Sequence, residues 1–153
     1  DYWLINEHIP YVFRLSEKEL DYLETNLEKR KAILDELLPW DDINYGIDEQ
    51  WATFYPRGTS ARAGKPIEFQ VRILNHSPIT RTFKVTPRKS PGIDLLSGPA
   101  EIKLRPRASG SITVMVSVRK SATLPGTFAV TADIDSDGMH FLSWADAVIR
   151  VED

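Results

Sequence analysis

The stretch "DIDSDGMH" holds the densest set of side chains able to do chemistry in this 153-residue chain. Asp133, Asp135, Asp137 and Gly138 stand in the order Asp-x-Asp-x-Asp-Gly, the first half of a loop that wraps calcium in carboxylate oxygens. The twelfth position of such a loop supplies a bidentate Glu, and here that position is Trp144. The same residues also predict something plainer. Asp-Gly between two apolar runs makes a tight hairpin turn, and carboxylates spaced along a strand need not converge on one ion. The turn is the reading adopted.

Other chemistry is sparser. His8, His76 and His140 lie far apart in sequence, without the His-x-His or His-x3–5-His spacing of a metal site. No Gly-x-Ser-x-Gly elbow raises a serine, and no glycine-rich loop is present to cradle a phosphate. With no cysteine there is neither a disulfide nor a thiolate zinc site. "NHS" at Asn75 is a glycosylation acceptor by pattern, but Pro78 follows directly and a turn after a strand is the simpler expectation. The acidic pairs Asp41/Asp42 and Asp48/Glu49 read as caps and surface links rather than as a general acid/base pair. No complete active site is legible.

The elements that position these residues fall into two parts. Residues 16–38, "SEKELDYLETNLEKRKAILDELL", predict a helix: Ser16 caps it, Glu19 completes a capping box, and Pro39 ends it. Leu20, Leu23, Leu27, Leu34 and Leu37 repeat at a seven-residue rhythm broken by Arg30, with Ile33 and Leu38 widening the stripe. That stripe predicts packing against a neighbouring domain, or a helix dimer as the alternative. The connector "PWDDINYGIDEQWATFYP" is too aromatic for a loose linker. Trp40, Tyr45, Trp51 and Tyr55 are expected to clamp the helix to the C-terminal part of the chain, a carbohydrate-binding surface being the alternative.

From about residue 50 the apolar period changes from 3.6 to 2. "IEFQVRI", "SITVMVSV" and "TFAVTADI" each alternate apolar and polar residues, and "WATFY", "TFKVT", "AEIKL" and "DAVIRV" are shorter candidates. Gly- and Pro-containing turns separate them. Short alternating strands with no helices between them predict an antiparallel β-sandwich of immunoglobulin-like type over 49–153, preceded over 1–48 by a strand, the amphipathic helix and the connector.

The net charge of −3 hides a segregation. Residues 1–56 carry 5 Lys/Arg against 13 Asp/Glu, residues 57–120 carry 13 against 3, and residues 121–153 carry 1 against 6. The acidic ends are expected to neutralise the basic middle in the folded protein. A nucleic-acid partner is not expected, because Phe69 and Phe83, the aromatics of the basic block, both fall on apolar strand faces and leave no stacking surface. Nor is a membrane, since no apolar stretch approaches the ~18–20 residues needed to cross one. Composition leaves the compartment undetermined.

The chain opens on "DYWLIN", an apolar run read as a strand buried in a mixed sheet, followed at once by Glu7-His8. Nothing precedes it to shield it, and the expectation is that it is the rear part of something larger. Residues 1–56 resemble the region that follows the catalytic core in certain bacterial proteins of the metallo-β-lactamase superfamily, in which a long helix and a C-terminal β-sandwich are appended to a hydrolase domain. The resemblance implies that the parent is a zinc-dependent hydrolase in which a zinc-bound hydroxide attacks an ester, amide, lactone or phosphodiester. It implies that His8 sits where the last metal-ligand histidine stands. The His-x-His-x-Asp-His signature is absent from this chain, so no catalytic zinc is expected in it alone. The expected role is a non-catalytic accessory region docking on the parent's catalytic domain, or on a second protomer, through the leucine stripe with Trp40 and Trp51. The alternatives are a stand-alone glycan- or polymer-binding module and a dimerisation element.

Overall fold

The computed structural model describes residues 2–5, 12–37, 48–120 and 126–151. The chain opens with a hairpin of β1 (Tyr2–Ile5) and β2 (Val12–Leu15), paired antiparallel from Tyr2↔Leu15 to Ile5↔Val12. The expected strand in "DYWLIN" is present over Tyr2–Ile5, but it lies in a two-stranded antiparallel hairpin with the residues just before the helix and not in the mixed sheet expected, because the nearest chain able to pair with it is its own sequel. The helix α1 (Glu17–Leu37) follows Ser16, whose carbonyl accepts the Leu20 N–H at 3.1 Å and closes the first turn.

Among the described residues nine further strands build the sandwich: β3 (Ala52–Tyr55), β4 (Gly58–Ala61), β5 (Pro66–Leu74), β6 (Arg81–Arg88), β7 (Ile93–Leu95), β8 (Ala100–Leu104), β9 (Ser109–Val118), β10 (Gly126–Ser136) and β11 (Met139–Val151). One sheet runs β3-β5-β9-β7 and the other β4-β11-β10-β6-β8. All pairings are antiparallel except β4 with β11. The sequence reading missed β4, whose "GTSA" has no apolar alternation; it forms because the chain changes sheets after β3 and meets the edge of β11.

Alternation decides which face each strand buries. Ile67, Phe69, Val71 and Ile73 of β5 face Phe83 and Val85 of β6 and Val130, Ala132 and Ile134 of β10 across the core. Phe54 and Phe69 meet edge to face with centroids 5.5 Å apart, a favoured aromatic geometry. The outer faces are polar, as in a sandwich whose sheets each meet water on one side.

The charge segregation is resolved by strand pairing. Lys84 of β6 stands opposite Asp135 of β10 on one side and Glu101 of β8 on the other. Arg88 Nε lies 3.3 Å from Asp133, and Arg81 reaches both Glu36 of α1 and Asp137. The basic middle is thus met by carboxylates from both acidic ends.

Candidate functional site

The hairpin joining β10 to β11 carries the aspartate motif. Its loop is the two residues Asp137 and Gly138, with φ of 48° and 87°, between the paired Ser136 and Met139. Positive φ at both central positions is the type I′ turn that matches strand twist, which is why Asp-Gly occupies it. The three carboxylates have separate partners: Asp133 meets Arg88, Asp135 meets His140 Nδ1 at 2.5 Å, and Asp137 accepts from Arg81 Nη1 at 3.2 Å. Among the described residues no group of three or more His, Cys, Asp or Glu stands close enough to hold a metal.

Asp133 has a second task. The ladder steps from Ala132↔Ala145 to Ile134↔Phe141, so Leu142, Ser143 and Trp144 bulge opposite the single residue Asp133. The buried carboxylate accepts the Ser143 N–H at 2.8 Å, replacing the ladder bond that the bulge removes. Ser143 itself sits at φ 47°, an uncommon conformation for a residue with a Cβ.

The bulge builds the seat of the helix. Trp144 lies against Trp51 (5.7 Å) and edge-on to Phe141 (5.3 Å), while Trp51 also contacts Phe141 (5.3 Å) and Phe83 (5.9 Å). Arg30 of α1 places its guanidinium 5.2 Å over the Trp144 ring, a cation–π contact. Leu34 is buried at the same junction, and Glu36 accepts from the buried Arg81 Nη2 at 3.1 Å.

Two depressions flank this seat. A polar cleft of about 490 Å³ lies between α1, the start of β3 and the bulge, lined by charges of both signs: Arg30, Arg57, Glu49 and Asp146. A smaller groove of about 300 Å³ lies on the other side, between α1 and residues 140–144.

The sequence-predicted residues distribute unevenly. Leu34 is buried, Leu20 is half-buried and Leu27 is 66% exposed. Leu20, Leu27 and Leu34 repeat every seven residues and so share one face of α1; the sandwich covers only the C-terminal end of that face. The backbone of Leu23 and Leu37 is helical, but their side chains lie outside the described residues, as do His8, Trp40 and Tyr45 altogether. Trp51 belongs to the core at 1% exposure. Tyr55 is half exposed, yet Arg72 stacks on its ring at 3.4 Å. His76 hydrogen-bonds Asp48 at 2.7 Å.

Asn75, read as a turn residue, is fully buried. Its Nδ2 donates toward the carbonyls of Ile79 (2.8 Å), Leu104 (3.1 Å) and Arg105 (3.0 Å), and its Oδ1 accepts the Ser77 N–H at 3.0 Å. Folding therefore consumes the nitrogen that a glycan would need. Sequence reasoning missed Arg81 and Ser143, for which no local pattern gives a signal, and it met Trp144 only as the residue standing where a calcium loop needs its twelfth-position Glu.

No protein-family model matches the chain, and no curated protein matches it. Among solved structures it resembles E. coli α-2-macroglobulin in its native conformation and Salmonella α-2-macroglobulin reacted with methylamine, both at 20% identity and a TM-score of 0.51. Each match covers 66% of this chain and only 6% or 7% of the macroglobulin chain. What is shared is the fold of one sandwich domain.

Proposed function

We propose that this chain is a non-catalytic accessory and interaction module, serving as the C-terminal region of a metallo-β-lactamase-like hydrolase, with α1 as the element that docks on the catalytic domain. The observation that carries the reading is the leucine face of α1: Leu34 is buried against the sandwich, while Leu27, seven residues earlier, is 66% exposed. A helix packed on the sandwich at Leu34 with Leu27 bare one heptad earlier offers a second body a rigid apolar contact. The sandwich fold suits such a role, and the sequence resemblance over residues 1–56 supplies the parent. His8 would contribute to zinc only together with ligands from that parent, since a zinc site takes three or four.

A glycan-binding role is less well supported. Trp51 is buried, Arg30 occupies one face of Trp144 and Arg72 one face of Tyr55, which reduces the aromatic surface left for stacking on a sugar.

The coding DNA upstream of Asp1 provides the test. A His-x-His-x-Asp-His stretch within alternating strands and helices supports the parent, and a start codon just upstream of Asp1 overturns it. Docking is checked separately with Leu27→Asp, which should leave the melting temperature of the isolated chain unchanged while weakening its association with the catalytic domain. A concentration-dependent doubling of mass that Leu27→Asp abolishes would replace parent docking by self-association.

A further inference from the structure

The groove between α1 and β11 has a composition that selects a ligand, and this is independent of what α1 docks on. Its floor is apolar: Ile33 from the helix, and Phe141 and Trp144 from the strand, with Leu142 standing 72% exposed as its lip. Its rim carries the cations Lys29 and Arg30, with His140 beside them. Among the described residues no acidic side chain lines it.

The helix leaves these cations unneutralised. The positions three and four residues from Lys29 are Thr25, Asn26, Ala32 and Ile33, and those from Arg30 are Asn26, Leu27, Ile33 and Leu34. On a helix only residues at those spacings come within reach of an ion pair, so neither cation has a carboxylate on its own element. On the strand side, Asp135 hydrogen-bonds His140 Nδ1, which occupies that carboxylate and fixes the ring. The adjoining cleft differs in kind: its lining holds Glu49 and Asp146 as well as Arg30 and Arg57, so it has no preferred sign of charge.

An apolar floor under a cationic rim matches a ligand with an apolar body and one anionic head. At about 300 Å³ the groove is at the small end of ligand pockets. We propose that it binds small aryl- or branched-alkyl carboxylates, the apolar group lying against Phe141, Trp144 and Ile33 and the carboxylate meeting Lys29 and Arg30. Arg30 can serve both roles, because a guanidinium stacked on an indole still presents its N–H donors in the ring plane.

The test is an NMR titration of the full chain with phenylacetate, using phenylacetamide as the neutral isostere. Saturable shifts confined to amides of residues 26–33 and 140–144 are expected, with the amide binding at least tenfold more weakly. Lys29→Glu should weaken phenylacetate at least fivefold. Lys103→Glu, an equal change of charge on exposed β8 at the other sheet edge, should leave binding unchanged. Both lysines are exposed, so neither variant disturbs the core. The proposal is overturned by an absence of saturable shifts up to about 10 mM, by equal binding of acid and amide, or by equal loss in the two variants.

Discussion

Asn75 offers the sharpest test of how the sandwich is held together. It follows the end of β5, and its side chain ties that end to the entry of β6 and to the carbonyls of Leu104 and Arg105 at the end of β8. The backbone joins the same knot: Asn75 N–H donates to Ala108 O at 2.9 Å, and Arg107 N–H donates to Asn75 O at 3.0 Å. Three carbonyls share the two protons of one amide nitrogen, so two donated bonds and one accepted from Ser77 is the sound count. Each net bond is worth about 1 kcal/mol, and buried partners left bare add a penalty of roughly 1–3 kcal/mol. Asn75→Ala should therefore cost about 4–6 kcal/mol, a large part of the ~5–15 kcal/mol that holds a typical domain folded.

Asn75→Asp discriminates further. It keeps the acceptor for Ser77 but turns an oxygen toward three carbonyl oxygens in a fully buried site, so it should destabilise at least as much as the alanine despite its near-identical shape. The assay is equilibrium urea unfolding followed by tryptophan fluorescence, for which the buried Trp51 is a natural reporter. A lower midpoint at unchanged slope marks a loss of stability alone. A loss below about 1 kcal/mol for Asn75→Ala would show that water satisfies these carbonyls as well as the amide does, and would refute the reasoning.

The latch between helix and hairpin should respond asymmetrically: Arg81 is 4% exposed and Glu36 is 64% exposed, so Glu36→Gln should cost about 1 kcal/mol or less in the same urea assay, whereas Arg81→Gln should cost severalfold more. Equal losses would mean that the pair, rather than the burial of Arg81, sets the cost. In the turn, Gly138 has φ of 87° with open space around its Cα, so Gly138→Ala should cost about 1–2 kcal/mol from backbone conformation alone. Gly98→Ala, equally unobstructed but without a positive φ, is the control and should stay within about 0.5 kcal/mol in thermal melts.

The sandwich was legible because its long strands obey one rule. In β5, in β6 after the buried Arg81 and in the latter half of β11, every second residue is apolar and every such residue is buried, so composition and burial carry the same message. The Asp-Gly turn was legible for a local reason, since few dipeptides tolerate two positive φ values. Three features were not legible. β4 forms from Gly-Thr-Ser-Ala because of the edge it meets, which no local pattern encodes. Asn75 reads as a turn residue from its neighbours, and only the positions of residues 79, 104 and 105 make it a knot. The leucine stripe states that one face of α1 is apolar, but not that the sandwich ends partway along it.

The bulge in β11 explains why helix seat, cleft and groove all occur at one place. Along β11 the odd-numbered residues from Met139 to Val151 point inward, except Ser143, which is exposed. Without the bulge, β10 and β11 would stay in step and Trp144 would stand on the open outer face beside Asp146. With it, Asp133 opposes Leu142, Ser143 and Trp144 together, and the indole turns onto Trp51 and Phe141. That leaves Trp144 a face on which Arg30 rests, and depressions open on either side of the contact. Asp133 is then the residue on which the arrangement depends, because its carboxylate both takes up the Ser143 N–H and meets Arg88. Its place in a run of aspartates suggested an ion site, but its position opposite the bulge makes it a substitute for backbone.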